Sequence, residues 1–306
     1  MDLFRLGLVS SRAQYFLLVA RLGSIRQAAK ATNIAPSSIS RAIQQLEEDL
    51  GTPLFERVQQ RLRLTSAGEL LFYRIRQSTS ELNRAMTEID DLSGLRRGTV
   101  SVAVIESAAR SLLPEVLTEF WVRSPEITVD VTVTGSQEAA DMLGAGDVDL
   151  ALAFDASHPR SVQRIHSVPL SLGVLVRPGS PLIAKENLRS YDLAGERVII
   201  PDSSLTLGAS VEQALGGTFM EFSRRMSTNS IALMLRMARR GLGVILQTRF
   251  GAERELGRGE LVFLPLKDAR LQPRRLMLLA RSKTEMPEAA EALAAALVRA
   301  MGRLPE

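Results

Sequence analysis

Apolar residues recur at helical spacing in residues 33–51, "NIAPSSISRAIQQLEEDLG". The apolar stripe consists of Ile39, Ile43, Leu46 and Leu50, a period typical of an amphipathic helix. Pro36 suits the first turn of such a helix, where no backbone N–H is needed. The opposite side of the helix is polar and consists of Ser37, Ser38, Arg41, Gln44 and Gln45. The pattern therefore predicts a helix with one buried face and one polar face that is free for a partner.

A shorter helical pattern precedes it along the chain. Ser24 is a helix-capping residue type for a helix running to about Ala31. Ala28 and Ala29 are small enough to let a second helix cross closely, and Asn33 tolerates the left-handed conformation that a tight turn requires. Two helices joined in this way form a helix-turn-helix, whose second helix lies in the major groove of DNA.

The segment after the second helix alternates in the manner of a strand. Gly51 is a typical helix-terminating residue, and in "RLRL" the residues Leu62 and Leu64 alternate with arginines. A strand pair beside a helix-turn-helix is a wing, and we expect its basic residues to follow one phosphate strand. These residues are Arg57, Arg61 and Arg63. The alternative for the whole pattern is a solvated helix start with no DNA partner.

The distribution of charge favours the DNA-binding interpretation. The 306 residues carry a net charge of +4, and residues 1–65 contain nine basic and five acidic residues. Basic and acidic residues balance in the rest of the chain. A local basic excess of this size also fits a solvated surface, but it coincides here with a helix-turn-helix pattern.

Three segments occur in the order found in LysR-type transcriptional regulators: "GSIRQAA", "ISRAIQQLEEDLGTPLFER" and "RLRLTSAGE". The chain resembles this family over its whole length, which implies a winged helix-turn-helix that binds a duplex DNA operator. It departs from the family at Ala35-Pro36, where Ser-Gln is common, and at Thr32, where leucine is usual. Base recognition then rests more on three residues of the second helix. The predicted DNA-binding residues are Arg26, Ser37, Ser38, Arg41, Arg57, Arg61 and Arg63.

Residues 66–94 predict one long helix of roughly 44 Å. Their apolar positions follow the alternating four-then-three spacing of a coiled-coil seam, and the segment resembles the family's linker helix, which pairs with a second chain. The predicted dimerisation residues are Leu71, Ile75, Leu82, Ile89 and Leu92. We expect a homodimer or homotetramer; the alternative is an amphipathic helix packed on its own domain. Gly94 and Gly98 predict a hinge.

Residues 99–306 alternate between strand and helix patterns, which predicts parallel sheets with helical crossovers. They resemble the family's regulatory domain, which has the α/β fold of type 2 periplasmic binding proteins, with chain crossings near 166–169 and 265–270. The predicted domains are 1–65 for DNA binding, 66–98 for linker helix and hinge, and 99–306 for regulation. Within the last, subdomain I comprises 99–167 and 268–306, and subdomain II comprises 168–267.

A ligand of such a fold binds between the subdomains, where strands end and helices begin. Hydroxyl and amide side chains cluster at four predicted helix starts, although each one also fits an ordinary helix cap. They predict a small polar or anionic effector, with Glu106 as an unfavourable neighbour for an anion. The predicted effector-binding residues are Ser107, Ser136, Gln137, Ser203, Ser204, Thr206, Thr228 and Asn229.

Other function classes find little support in the sequence. It has no cysteine and only two histidines, so we expect no metal site and no cofactor. Nucleophile-elbow and phosphate-loop motifs are absent, and the pair Gly241 and Gly243 lacks the third glycine of a dinucleotide fingerprint. We therefore expect a regulator and not an enzyme.

Two further alternatives concern the regulatory half. A free solute-binding protein would explain residues 99–306 but not the basic N-terminal segment. A constitutive DNA-binding regulator without an effector is the stronger alternative. Asp2, Arg5 and Arg12 interrupt the first apolar residues, and no apolar run has membrane-spanning length. We expect a cytoplasmic protein with no membrane partner and with RNA polymerase as a further candidate partner.

Overall fold

A computed structural model describes residues 3, 6–59, 61–92, 98–201, 223–268, 271–281 and 286–305. The chain forms two compact units. The first comprises Met1–Leu95 with Ala145–Asp147, and the second comprises Arg96–Gly144 with Val148–Glu306. In the described part of the chain, no helix has the length and apolar character that a membrane span requires.

The first unit begins with three helices, α1 (Ser11–Leu22), α2 (Ile25–Thr32) and α3 (Pro36–Leu50). Helix α1 was not predicted from the sequence. Its cap is Ser10, whose hydroxyl accepts a hydrogen bond from the Ala13 N–H, and Phe16 and Val19 are fully buried on its inner face.

The turn between α2 and α3 has the predicted geometry. Asn33 adopts a left-handed conformation with φ of 57° and ends α2. Ala28 and Ala29 are buried, as the close helix crossing requires. Along the apolar stripe of α3, Ile39 and Ile43 are buried, but Leu50 is 49% exposed at the end of the helix. The helix-turn-helix and the buried face of α3 are therefore confirmed.

The wing consists of β1 (Phe55–Val58) and β2 (Arg61–Leu64), which pair in antiparallel register. It leads into α4 (Ser66–Leu92); residues 93 and 94 of the predicted linker helix lie outside the described residues. The first turn of α4 passes very close to the chain before the wing, since a Cβ on Gly68 would lie 2.1 Å from the Leu54 carbonyl oxygen. Only glycine fits this contact.

The second unit contains two five-stranded sheets among its described residues. The first subdomain is built on the sheet order β4-β3-β5-β12-β6. Its strands and helices are β3 (Thr99–Val104), α5 (Glu106–Arg110), α6 (Leu112–Arg123), β4 (Thr128–Val133), α7 (Ser136–Ala145), β5 (Leu150–Phe154), β6 (Val162–Leu170), β12 (Arg274–Arg281) and α10 (Glu288–Met301). The main core of this subdomain packs α6 and α10 against the sheet.

The second subdomain is built on the sheet order β11-β7-β10-β8-β9. Its elements are β7 (Leu172–Val176), two short 3-10 helices (Pro181–Ala184 and Ser190–Leu193), β8 (Arg197–Pro201), β9 (Ser223–Thr228), α8 (Ile231–Arg239), β10 (Val244–Thr248), α9 (Glu253–Gly257) and β11 (Val262–Pro265). Apolar clusters lie on both faces of this sheet.

Two expectations about the sheets need correction. Each sheet is mixed and not wholly parallel, because β12 pairs antiparallel with β5 and β6, and β7 pairs antiparallel with β10 and β11. The first crossing also lies later than 166–169, since β6 stays paired with β12 as far as Leu170. The chain enters the second subdomain at Ser171 and returns between β11 and β12. A hydrophobic pattern shows that a strand is buried but not which strand it pairs with.

Candidate functional site

The predicted polar face of α3 is exposed. All five predicted residues of this face are exposed, from Ser37 to Gln45. Ala35 at the N-cap makes no side-chain hydrogen bond to the helix, and the first turn contains no acidic residue. The partial positive charge of the helix N-terminus is therefore not offset by a carboxylate of its own first turn, which suits the approach of a phosphate or a base edge.

The arginines predicted to bind DNA are accessible to solvent. The five predicted DNA-binding arginines are all exposed, and none forms an ion pair within the described ranges. They are Arg26, Arg41, Arg57, Arg61 and Arg63.

The wing register divides its arginines between two faces. Directly opposed residues of an antiparallel pair share a face, and Arg61 lies opposite Val58 while Arg63 lies opposite Glu56. Arg57 lies opposite Leu62 on the other face. The prediction that all three follow one phosphate strand is thus corrected: Arg61 and Arg63 form a row, and Arg57 is not part of it.

Glu47 connects α3 to the wing. Its carboxylate oxygen Oε1 accepts hydrogen bonds from the backbone N–H groups of Leu54 (2.7 Å) and Phe55 (3.1 Å). The acid therefore fixes the start of β1 relative to the end of α3. No role for Glu47 was predicted from the sequence, because its partners lie seven and eight residues further on.

A small cavity lies between the two subdomains of the second unit. The first subdomain contributes Glu106, Ser107 and Ser136 to its lining, and the second contributes Met234, Gln247 and Thr248, among others. Its volume is about 50 Å³, which is room for a few water molecules and far less than a typical small-molecule site. In this conformation the crevice is nearly closed.

Glu106 closes the crevice by binding the N-terminus of α8. Its carboxylate accepts hydrogen bonds from the N–H groups of Ile231 (2.6 Å) and Ala232 (2.9 Å) and from the Ser230 hydroxyl (3.4 Å). Glu106 is the first residue of α5 in the first subdomain, whereas α8 belongs to the second. A charged hydrogen bond to a helix N-terminus is stronger than a neutral one, so this contact joins the subdomains.

Other polar groups at the cavity have no partner within the described residues. The hydroxyl groups of Ser107 and Thr248 make no hydrogen bond there, although their residues are only 2% and 4% exposed. The Gln247 amide donates to the Phe250 carbonyl (3.3 Å), which leaves its oxygen without a donor among the described residues. Buried polar groups are normally paired, so the cavity offers hydrogen-bonding groups to a ligand or to water.

Arg274, an arginine of the cavity lining, already faces an acid. Its guanidinium forms an ion pair with Asp155, whose other carboxylate oxygen accepts from the Arg275 N–H (2.9 Å). Burial lowers the pKa of Arg274, and the neighbouring Asp155 acts in the opposite direction. The charge of Arg274 is thus balanced before any ligand arrives.

The structure brings together only part of the predicted effector-binding set. Ser107 and Ser136 line the cavity. Gln137 is exposed and pairs with Asp141 and the backbone of Ser157. The Thr228 hydroxyl accepts from the Ser230 N–H (3.2 Å), a local turn contact.

The remaining predicted effector residues do not reach the cavity or cannot be placed. Asn229 is exposed and absent from the lining. Ser203, Ser204 and Thr206 lie outside the described residues. Thr248 and Arg274 were not predicted from the sequence, and Gln247 was given no binding role. Gln247 and Thr248 end β10 and Arg274 begins β12, so none of the three carries a helix-start signal.

The predicted dimerisation residues divide along α4. Leu71 and Ile75 pack against the core of their own helix-turn-helix, so the first part of the helix does have a partner in its own unit. Leu82 is half-buried and Ile89 is 54% exposed. Leu92 ends the helix, and its side chain lies outside the described part. Any seam for a second chain would therefore be restricted to the later turns.

A winged helix-turn-helix, a long helix and a two-subdomain domain with a crevice together define a DNA-binding regulator with a ligand-binding type of domain. Residues 11–69 match the family "Bacterial regulatory helix-turn-helix protein, lysR family", and residues 93–302 match "LysR substrate binding domain". The chain belongs to the LysR family of DNA-binding transcriptional regulators.

Relatives and solved structures agree with this assignment. The chain is 31% identical to the transcriptional activator protein LysR of Escherichia coli over 76% of this chain and 74% of that protein. It is 33% identical to a probable nitrogen assimilation transcriptional activator of Synechocystis over the same shares. Its fold resembles full-length CbnR complexed with its target DNA, with a TM-score of 0.63, 20% identity and coverage of 94% and 98%.

Proposed function

We propose that this regulator binds an operator through the exposed face of α3 and that a small molecule in the crevice of the second unit switches its activity. The observation that carries the proposal is that one chain contains both an exposed, basic helix-turn-helix surface and a crevice lined by polar groups, some of which have no partner among the described residues. A ligand switches the protein only if it binds two conformations unequally.

The proposed DNA contacts follow from exposure and charge. Ser37, Ser38 and Arg41 lie at the start of the recognition helix, where base edges are contacted in this motif. Arg61 and Arg63 form the wing row and supply phosphate contacts, which position the protein without specifying sequence. Arg26 on α2 is exposed and is a further candidate for a phosphate contact.

Pairing through the later turns of α4 would present two recognition helices to an interrupted palindrome. Leu82→Asp places a charge in the proposed seam and should convert the oligomer to monomers in light scattering. Leu70→Asp is the matched control, because Leu70 is already 61% exposed and lies outside the seam. Wild-type protein that is monomeric at micromolar concentration would refute the seam.

A contact with RNA polymerase remains a prediction.

The test of the switch combines ligand screening with DNA binding. Full-length protein is screened against a metabolite library by thermal shift, and each stabilising compound is added to an operator-binding titration. We expect a compound that changes operator affinity and loses its effect in Ser107→Ala. A broad screen without any such compound would favour a constitutive regulator with no effector.

A further inference from the structure

The crevice holds an acid of the chain itself where the fold would place the acid of a ligand. Glu106 fills the N-terminus of α8 with a carboxylate that accepts from two successive backbone N–H groups, at 2.6 and 2.9 Å. A helix N-terminus is a ready anion site because its N–H groups lack partners within the helix. Here those groups are already satisfied by Glu106 and by the capping hydroxyl of Ser230.

The rest of the cavity is equally unsuited to an anion. The positive charge of Arg274 faces Asp155, so an incoming carboxylate would meet the charge of Glu106 without a free cation among the described residues of the lining. Like charges brought together in a poorly solvated site are strongly unfavourable. The other lining residues include Phe154, Ile231 and Phe250, which favour an apolar body.

Neutral hydrogen-bonding groups nevertheless point to a ligand. Ser107 is 2% exposed, lines the cavity and has no hydrogen-bond partner for its hydroxyl among the described residues. Thr248 and the Gln247 oxygen are in the same condition. A hydroxyl, amide or carbonyl group of a ligand would satisfy them without adding charge.

We propose that Glu106 is a built-in ligand of the α8 N-terminus that holds the two subdomains together, and that the crevice therefore takes a small uncharged, largely apolar molecule with one or two hydrogen-bonding groups. This inference rests on the proposed function for the existence of a ligand, but the role of Glu106 does not. It replaces the expectation of an anionic effector.

The experiment removes the internal carboxylate and supplies it from solution. Full-length wild type, Glu106→Ala and the control Glu115→Ala, an exposed acid on α6, are melted in sodium acetate and in sodium chloride at equal ionic strength. We expect Glu106→Ala to melt about 4 to 10 °C lower in chloride. Acetate, which matches the deleted carboxylate, should restore its midpoint in a saturable manner, whereas acetamide should not.

The melting midpoints of wild type and of Glu115→Ala should each be the same in acetate as in chloride. A Glu106→Ala midpoint equal to that of wild type, or an equal acetate response in wild type, would overturn the proposal. Should Glu106→Ala fail to fold, Glu106→Gln keeps the side-chain volume, and hydrogen exchange at Ile231 and Ala232 is measured instead. Faster exchange supports the contact, and unchanged exchange overturns it.

The class of ligand is read from the metabolite screen on the full chain. Uncharged hits that lose affinity in Ser107→Ala support the inference. A carboxylate compound that binds the protein with Glu106 present, and that loses affinity in Ser107→Ala, overturns it. A screen with no hit counts against the proposed function alone, because the acetate experiment needs no effector.

Discussion

The N-termini of α3 and α8 present the same backbone groups under opposite conditions. At α3, Ala35 offers no side-chain cap and the first turn is exposed and free of acids. At α8, Ser230 caps the helix and the carboxylate of Glu106 accepts from its first N–H groups. A helix end is thus available to a partner only if its neighbours leave it open.

The open end of α3 comes at a cost to stability. A Ser, Thr, Asp or Asn cap contributes about 1 kcal/mol relative to alanine, and α3 forgoes it at Ala35. The cap residues Ser10 of α1 and Ser24 of α2 do accept hydrogen bonds from their helices. The exception falls on the one helix of the three that is proposed to enter the major groove.

We expect the largest effect on DNA binding when an acid is placed at the N-terminus of α3. Ala35→Asp would cap α3 and add the charge that Glu106 provides at α8. We expect a gain of about 1 kcal/mol in the free energy of unfolding and a loss of operator affinity of about 100-fold or more, because the carboxylate faces phosphates. Melting curves and fluorescence anisotropy measure the two effects.

The matched control for this variant is Ala35→Asn, which caps the helix without a charge. It should gain similar stability and keep much more of the operator affinity. Equal affinities of the Asp and Asn variants would show that the N-terminus of α3 does not approach the phosphates.

A smaller effect is expected from removing the cation beside the open end. Arg41→Ala should lower affinity for the cognate operator by about 1 to 3 kcal/mol, if Arg41 contacts a base edge, and should relax specificity at one position. Arg12→Ala is the control, because Arg12 pairs with Asp49 (2.8 Å) near the other end of α3. Unchanged affinity and specificity of Arg41→Ala would leave base recognition to other residues.

The wing provides a milder and sequence-independent effect. Arg61→Ala should weaken binding to all sequences alike and reduce the slope of log affinity against log salt by about 0.9, the value for one phosphate contact. Arg57→Ala should reduce the slope less, because the register puts Arg57 on the other face of the wing. Salt titrations with operator and random DNA distinguish the two; equal slopes would contradict the assignment of faces.

The smallest effect concerns Glu253, an acid that, unlike Glu106, does not accept from two successive N–H groups at the start of a helix. Burial raises the pKa of Glu253, although its carboxylate accepts from the Gly251 N–H (2.9 Å). The native state then binds a proton more tightly than the unfolded state, so stability falls as the pH rises through the range above the ordinary glutamate value. Glu253→Gln should flatten this dependence in melts across pH, and Glu115→Gln should not. An unchanged profile would contradict the burial effect.

Much of the DNA-binding unit could be predicted from the sequence because its signals are local. Asn33 and Gly51 mark their turns within a few residues, and both adopt the left-handed conformation. The helix α1 was not predicted because its apolar residues do not form one clear stripe, although Ser10 is an ordinary cap. The division of the wing arginines required the strand register, which the alternation of one strand does not specify.

The crevice was predicted less well because its geometry depends on distant parts of the chain. Helix-start chemistry indicated Ser107 and Ser136, which both line the cavity, but the Thr228 hydroxyl accepts a hydrogen bond within a local turn. Glu106 was recognised as unfavourable for an anion, yet its partners at Ile231 and Ala232 are more than 120 residues away. No local pattern links the two.

The position of β12 constrains the order in which the second unit assembles. This strand lies between β5 and β6, and β6 at the edge of the sheet has no other strand as a neighbour among the described residues. Yet β12 follows the entire second subdomain in the chain. During synthesis on the ribosome, the edges of β5 and β6 that pair with β12 therefore stay unpaired until residues 274–281 emerge. Open strand edges promote aggregation, so chains that terminate before Arg274 are expected to be substrates for chaperones and proteases instead of partly active regulators.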